Sequence, residues 1–230
     1  MSRPQPPARI TNPRLIPVAG HDAHLPALPE EALQPDAIRR RLTEAADHPP
    51  EIPGDGRVLS GRTAAAAAVL IPLVLRPDGL QVLLTQRSAH LRDHAGQISF
   101  PGGRTEPTDT DPADTALREA EEEIGLPRRC VEVVGTLPTY TTVTGFVVSP
   151  VVGLVSPPFE LRPDPTEVEE AFEVPLRFLM TPAHHRRHVF HFDGGQRQFL
   201  SMPWTGDGRE FYIWGATAAM LRNFYRLLAR

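Results

Sequence analysis

The sequence predicts a mixed α/β fold, and three stretches carry that prediction. Ala64 to Leu75 is a continuous apolar run that stops at the turn residues Arg76-Pro77-Asp78-Gly79. Asp114 to Ile124 has helical periodicity and is closed by Gly125. Short β-rich runs then alternate with loops until a second amphipathic stretch, Ala216 to Ala229.

In chain order, residues 1–34 are proline-rich and read as irregular chain on the surface. Pro35 to Ala46 reads as a short helix, with Pro35 near its start and Ile38 and Leu42 on one face. Residues 47–62, with Pro49, Pro50, Pro53, Gly54, Gly56 and Gly61, read as a linker. The expected division is a proline-rich extension over 1–60 and a domain over 61–230. Five alanines would suit a helix after residue 63, but Val69, Leu70, Ile71, Leu73 and Val74 favour a strand buried on both faces. It forms a hairpin with Leu80 to Gln86.

Arg87 to Gly103 reads as a long polar loop punctuated by glycine. Val131 to Leu137 and Phe146 to Val155 read as strands, Glu167 to Phe172 and Leu176 to Met180 as helical turns. Val189 to Phe192, Gln198 to Pro203 and Glu210 to Ile213 read as further strands. The closing helix puts Met220, Phe224 and Leu227 on one stripe.

Composition narrows the function. The 230 residues carry a formal charge of −4, which lacks the basic excess of a general nucleic-acid binder. Every basic side chain apart from histidine is arginine. Cys130 is the single cysteine, so no intrachain disulfide forms, and a reducing compartment such as the cytoplasm is expected. No apolar run approaches the ~18 residues of a membrane span.

The chemistry concentrates in Arg118-Glu119-Ala120-Glu121-Glu122-Glu123-Ile124-Gly125-Leu126. Helical spacing puts Glu119, Glu122 and Glu123 on one patch, turns Glu121 away, and lets Leu117, Ala120 and Ile124 pack inward. Three like charges repel, and a divalent cation relieves that repulsion. A solvated acidic face is the alternative for a bare Glu-Glu-Glu run. Here Phe100-Pro101-Gly102-Gly103 lies upstream, a tight loop that lets backbone approach a ligand.

Gly103, Arg118, Glu119, Ala120, Glu122, Glu123, Gly125 and Leu126 together resemble the Nudix box. Asp109 stands six residues after Gly103 where the pattern has glutamate, and its gap to Arg118 is one residue longer. The resemblance implies an α/β/α sandwich around a mixed β-sheet, with the box as a loop–helix–loop. It implies that Glu119, Glu122, Glu123 and the Gly103 carbonyl hold Mg²⁺ or Mn²⁺, and that Arg118 orients a glutamate.

The segment from Leu84 to Gly103, containing Thr85, Arg87, Ser88, Leu91, His94, Gly96 and Phe100-Pro101-Gly102-Gly103, looks like the signature of the coenzyme A pyrophosphatase branch. The longer Asp109–Arg118 gap is usual there. That resemblance, over about residues 62 to 225, implies hydrolysis of coenzyme A or its acyl or oxidised forms to 3′,5′-ADP and 4′-phosphopantetheine or its derivative. Another nucleoside diphosphate derivative such as ADP-ribose is the rival substrate, and a non-catalytic nucleotide-binding module the rival class.

Arg87, Arg92 and His94 are candidate phosphate contacts beside Gly102 and Gly103. Arg87 also suits a strand-end ion pair, Arg92 a surface charge, and His94 a loop brace. Gln97 and Ser99 suit hydrogen bonds within the loop. Glu167 suits either an added carboxylate or a helix-start charge, and Tyr140 and Phe146 either the cleft or the core. His184, His185 and His188 lack cysteine partners and read as a solvated loop rather than a zinc site. The substrate is expected to be a small molecule, with no nucleic acid and no membrane. The oligomeric state, a homodimer included, stays open.

Overall fold

β-Branched and leucine side chains make Ala65–Val74 a strand buried on both faces, and the other elements assemble around it. The structure, a computed structural model, describes residues 10–44, 48–55, 64–91, 95–193 and 195–230. In chain order the strands are β1 (Val18–His21), β2 (Ala65–Val74), β3 (Gln81–Arg87), β4 (Ile98–Ser99), β5 (Gly102–Arg104) and β6 (Val131–Thr136). They continue with β7 (Tyr140–Thr141), β8 (Phe146–Val155), β9 (Val168–Pro175), β10 (Arg186–Phe192), β11 (Gly195–Gly206) and β12 (Arg209–Trp214). The helices are α1 (Pro35–Glu44), α2 (Pro112–Ile124), α3 (Leu176–Leu179) and α4 (Gly215–Leu228).

The larger sheet is mixed. β2 runs parallel to β8 from Ala65↔Phe146 to Val74↔Val155, and antiparallel to β3 and β5. β3 in turn pairs with β4 and β9, and β8 with β6 and β7. Alternation along β2 divides the core. Ala68, Leu70 and Val74 meet Ala116, Ala120 and Ile124 of α2, while Ala67, Ile71 and Leu73 join α1 and α4 on the other face. The mixed sheet between helices is therefore the one the sequence implied. Among the described residues no helix is long and apolar enough to cross a membrane.

The second sheet is antiparallel, in the order β1-β10-β11-β12. Its first strand falls in residues 1–34, which the sequence suggested were irregular. Backbone pairing to β10 makes that strand, and its four residues, Val-Ala-Gly-His, are too few to carry a period-two signal. The expected linker is also tied down where it is described: Ile52 exchanges hydrogen bonds with Asn223, and the Gly54 backbone bridges to Thr141.

Two further expectations are corrected. Residues 168–175 are strand β9, not a helical turn, because antiparallel pairing to β3 overrides the helix-favouring Glu-Glu-Ala composition. His185 and His188 are buried rather than solvated, and His184 is half-buried. His184 and His185 bond the backbone carbonyls of Phe178 and Leu179, and His188 bonds Ser201 at 2.8 Å. Burial pushes the His185 pKa down to about 4.

A buried ion network ties the N-terminal segment to α4. Arg222, fully buried, lies 2.8 Å from Asp22 and makes two hydrogen bonds to Glu51, at 2.7 and 3.2 Å. Burial favours the neutral form of Glu51, but hydrogen bonds and charge from Arg222 and Arg226 overcome this and hold its pKa at about 2. Arg222→Ala removes the fully buried partner of two carboxylates and leaves them with the more exposed Arg187 and Arg226. It is expected to cost about 3–5 kcal/mol in urea denaturation, whereas Arg41→Ala, at an exposed helical pair, is expected to cost under about 1 kcal/mol.

Candidate active site

The carboxylate helix is fixed at both ends. Asp111 caps it by accepting the Asp114 amide at 2.8 Å, and Pro112 opens its first turn. Gly125 ends it in the left-handed region at φ 67°. The last carbonyls are met by the following segment: Arg162 N–H donates to Ile124 O at 2.8 Å and Asp164 N–H to Glu123 O at 2.9 Å.

Bare backbone makes the room for the acids. Gly102 and Gly103 pair with Val69 and Ala68 of β2 and pass beneath α2. A methyl group at Gly102 would fall 2.4 Å from the Ala68 carbonyl oxygen, and one at Gly103 would fall 2.5 Å from the Glu119 carboxylate. Gly102 N–H donates to Glu123 Oε2 at 3.1 Å.

Helical spacing puts the three glutamates on one face, but they differ in depth. Side-chain exposure is 6 % for Glu123, 16 % for Glu119 and 61 % for Glu122. The Arg118 guanidinium lies between the outer two, 3.0 Å from each. Among the described residues no group of three or more His, Cys, Asp or Glu side chains is placed to hold a metal without rearrangement. The expected convergence is thus one of position along the helix, with Arg118 occupying the space between Glu119 and Glu122.

Arg118 is itself held by Asp109, which accepts from Nε and Nη2 at 2.9 Å each and from the Thr115 hydroxyl at 2.9 Å. The hydrogen bonds from Arg118 hold the Asp109 carboxyl well below the usual range. Asp109 therefore sits behind the arginine. Helical periodicity gave no signal of this pairing, because Asp109 precedes the helix.

Arg87, at the end of β3, brings Nη1 to 3.8 Å from Glu123 Oε1. Its buried Nε has no hydrogen-bond partner among the described residues. Glu167 adds its charge to both Glu119 and Glu123. Burial, ahead of these neighbours, raises the pKa of Glu119 and pushes that of Glu123 up to about 8. A buried carboxylate with one amide donor and a distant guanidinium, next to a second acid in a glycine cradle, is a hard-oxygen donor set that fits Mg²⁺ or Mn²⁺.

Arg92 and His94 lie outside the described residues. Tyr140 belongs to the core: it is buried, and its hydroxyl donates to Asp55 at 2.6 Å. Phe146 is partly buried against the same core. The Ser99 hydroxyl meets the Thr85 hydroxyl at 3.2 Å, and the backbone carbonyl of Gln97 accepts the Arg87 amide at 2.9 Å.

The glycine turn, the capped acidic helix and the mixed sheet define the class. Residues 64–192 match the NUDIX domain, and the chain belongs to the Nudix family. It is 46% identical over 159 residues to the uncharacterized Nudix hydrolase NudL of Escherichia coli, across 68% of this chain and 79% of the relative. Solved structures with a similar fold include a Caenorhabditis elegans Ap4A hydrolase binary complex (TM-score 0.43, 19% identity, 51% of this chain and 85% of that one). Another is the NUDIX domain of Shewanella oneidensis NrtR complexed with ADP ribose (TM-score 0.40, 19% identity, 58% and 82%).

The raised pKa of Glu123 has a sign that stability measurements check. Between about 4.5 and 8 the unfolded chain has lost this proton while the folded, metal-free chain keeps it. Folding stability contributed by this group therefore falls as pH rises through that window. In chelator-treated protein, the wild type is expected to lose stability relative to Glu123→Gln from pH 5 to pH 8 in denaturant titrations. Parallel pH profiles would contradict the burial of an uncompensated acid.

Proposed function

We propose that this Nudix hydrolase cleaves the pyrophosphate of coenzyme A, giving 3′,5′-ADP and 4′-phosphopantetheine, and acts likewise on acyl or oxidised forms. One observation carries the reading. The segment from Leu84 to Gly103, whose sequence resembles the coenzyme A pyrophosphatase signature, also supplies two walls of the carboxylate site. Arg87 faces Glu123 from one side, and Gly102 and Gly103 support Glu123 and Glu119 from the other.

Nudix hydrolases generally use divalent metals. Glu119, Glu123 and the Gly103 carbonyl would hold Mg²⁺ or Mn²⁺, with Glu122 completing the set once it leaves Arg118. Such an ion supplies charge neutralisation for the phosphate oxygens and a lowered pKa for the attacking water. The chain's own groups do the rest. Arg87, whose guanidinium is partly exposed beside Glu123, grips a phosphate oxygen. Asp109 fixes Arg118, which sets the rotamers of Glu119 and Glu122. A carboxylate of this group takes the water's proton. Arg92 and His94 are proposed as further phosphate contacts. The substrate is a small molecule bound in the protein's reducing, cytoplasmic setting.

Purified protein with Mg²⁺ or Mn²⁺ is expected to release 3′,5′-ADP from coenzyme A, resolved by ion-pair chromatography. It should prefer coenzyme A to its analogue lacking the 3′-phosphate and to ADP-ribose at equal concentration. Intact coenzyme A under those conditions would overturn the substrate assignment. Glu123→Gln and Glu122→Gln are each expected to lower kcat by about 10²–10⁴-fold, the usual scale for a positioned acid–base group. Undiminished turnover in Glu122→Gln would remove that residue from the mechanism.

A further inference from the structure

A cleft lies away from the carboxylates, between β9 and the tip of the β11–β12 hairpin. Its volume is about 740 Å³, within the ~300–1,000 Å³ range of small-molecule sites. Phe172, Trp204 and Phe211 form one wall: Phe172 stacks on Phe211 at 3.9 Å between ring centroids and lies nearly parallel to Trp204 at 6.3 Å. The Trp204 ring is laid over Gly206, where a methyl group would come within 2.1 Å of it.

The rim is acidic. Glu170, Glu173 and Asp207 line the cleft against a single cation, Arg209. Arg209 pairs with Glu170, and Glu173 pairs with Arg76 at 2.6 Å. β9 contributes four consecutive lining residues, 170–173, and pairs only with β3 among the described residues. Every second N–H and C=O along its outer edge therefore lacks a ladder partner.

β9 also links this cleft to the carboxylates. Its start adjoins Glu167, whose charge reaches Glu119 and Glu123. At the usual rise of a strand, Phe172 lies about 17 Å along the chain from Glu167.

We propose that this cleft takes the neutral, amide-bearing pantetheine arm of the substrate and the acyl group at its end. The inference rests on the coenzyme A reading given above. With Arg209 already paired to Glu170, the lining, among the described residues, offers a phosphate no unpaired cation, which leaves the uncharged half as the occupant. The arm's two amides match the hydrogen-bonding groups of an open strand edge, and the aromatic wall accepts an apolar acyl chain.

The test uses the full chain. Pantetheine, which has neither phosphate nor adenine, is titrated calorimetrically into wild type, Trp204→Ala and Trp204→Phe. Saturable binding is expected in wild type, weakened tenfold or more by Trp204→Ala and retained by Trp204→Phe. KM for butyryl-coenzyme A should rise in Trp204→Ala by a similar factor, while inhibition by 3′,5′-ADP, which lacks the arm, stays unchanged.

Arg209→Ala gives a second reading that keeps all three aromatic rings and removes the guanidinium that lies over Phe211 and pairs with Glu170. By making the rim more acidic, it should raise KM for malonyl-coenzyme A more than for butyryl-coenzyme A. Absence of pantetheine binding in wild type, or an equal loss of 3′,5′-ADP inhibition in Trp204→Ala, would overturn the assignment, as would equal KM changes for the two thioesters in Arg209→Ala. Failure to cleave coenzyme A would overturn the proposed function instead. The pantetheine titration involves no hydrolysis and decides the cleft independently.

Discussion

The structure depends on one tight contact: the unsubstituted backbone of Gly102 and Gly103 pressed between β2 and α2. Any side chain there would meet the Ala68 carbonyl or the Glu119 carboxylate within 2.6 Å. Because nothing fills that space, α2 can lie close enough for Glu123 to be buried against the Gly102 amide. The same closeness takes Glu123 out of water with incomplete compensation, which is why its proton is held so firmly in the metal-free chain. Fold and chemistry meet in this strain on charge rather than in any single hydrogen bond.

Around that contact the charges are layered by depth. Asp109 is enclosed behind Arg118, Arg118 joins the half-buried Glu119 to the exposed Glu122, and Arg87 lies 3.8 Å from Glu123. Arg118 thus neutralises two acids that helical spacing alone would leave repelling one another. The departure at Asp109 is geometrically sensible: a carboxylate nine residues before Arg118, on the loop preceding the helix, reaches two of the three guanidinium nitrogens at 2.9 Å.

Most of the core fold was legible because its signals are local. The doubly buried β2, its turn at Arg76–Gly79 and the Gly125 stop each depend on a few adjacent residues. The failures have a common cause in long-range pairing. The Glu-Glu-Ala stretch at 169–171 favours helix, and it lies in a strand because β3 offers its edge. Val18–His21 has almost no intrinsic preference and is made a strand by β10, while Asp22 is buried by Arg222, 200 residues away in sequence. His185 and His188 looked polar and solvated because neither the enclosing strands nor their carbonyl and hydroxyl partners adjoin them in sequence. At the site, spacing showed which glutamates share a face. It could not show their unequal depth, or that Arg118 stands between two of them.

The central claim is that a divalent ion binds where the glycine turn meets the acidic helix. Crystals soaked in Mn²⁺, with diffraction measured at a wavelength where manganese scatters anomalously, test it most directly. An anomalous peak is expected about 2.0–2.3 Å from oxygens of Glu119, Glu123 and the Gly103 carbonyl, the range for hard cations of this size. That peak should disappear in Glu123→Gln crystals. A peak bound at other residues, or none at this turn in well-ordered wild-type crystals, would contradict the claim.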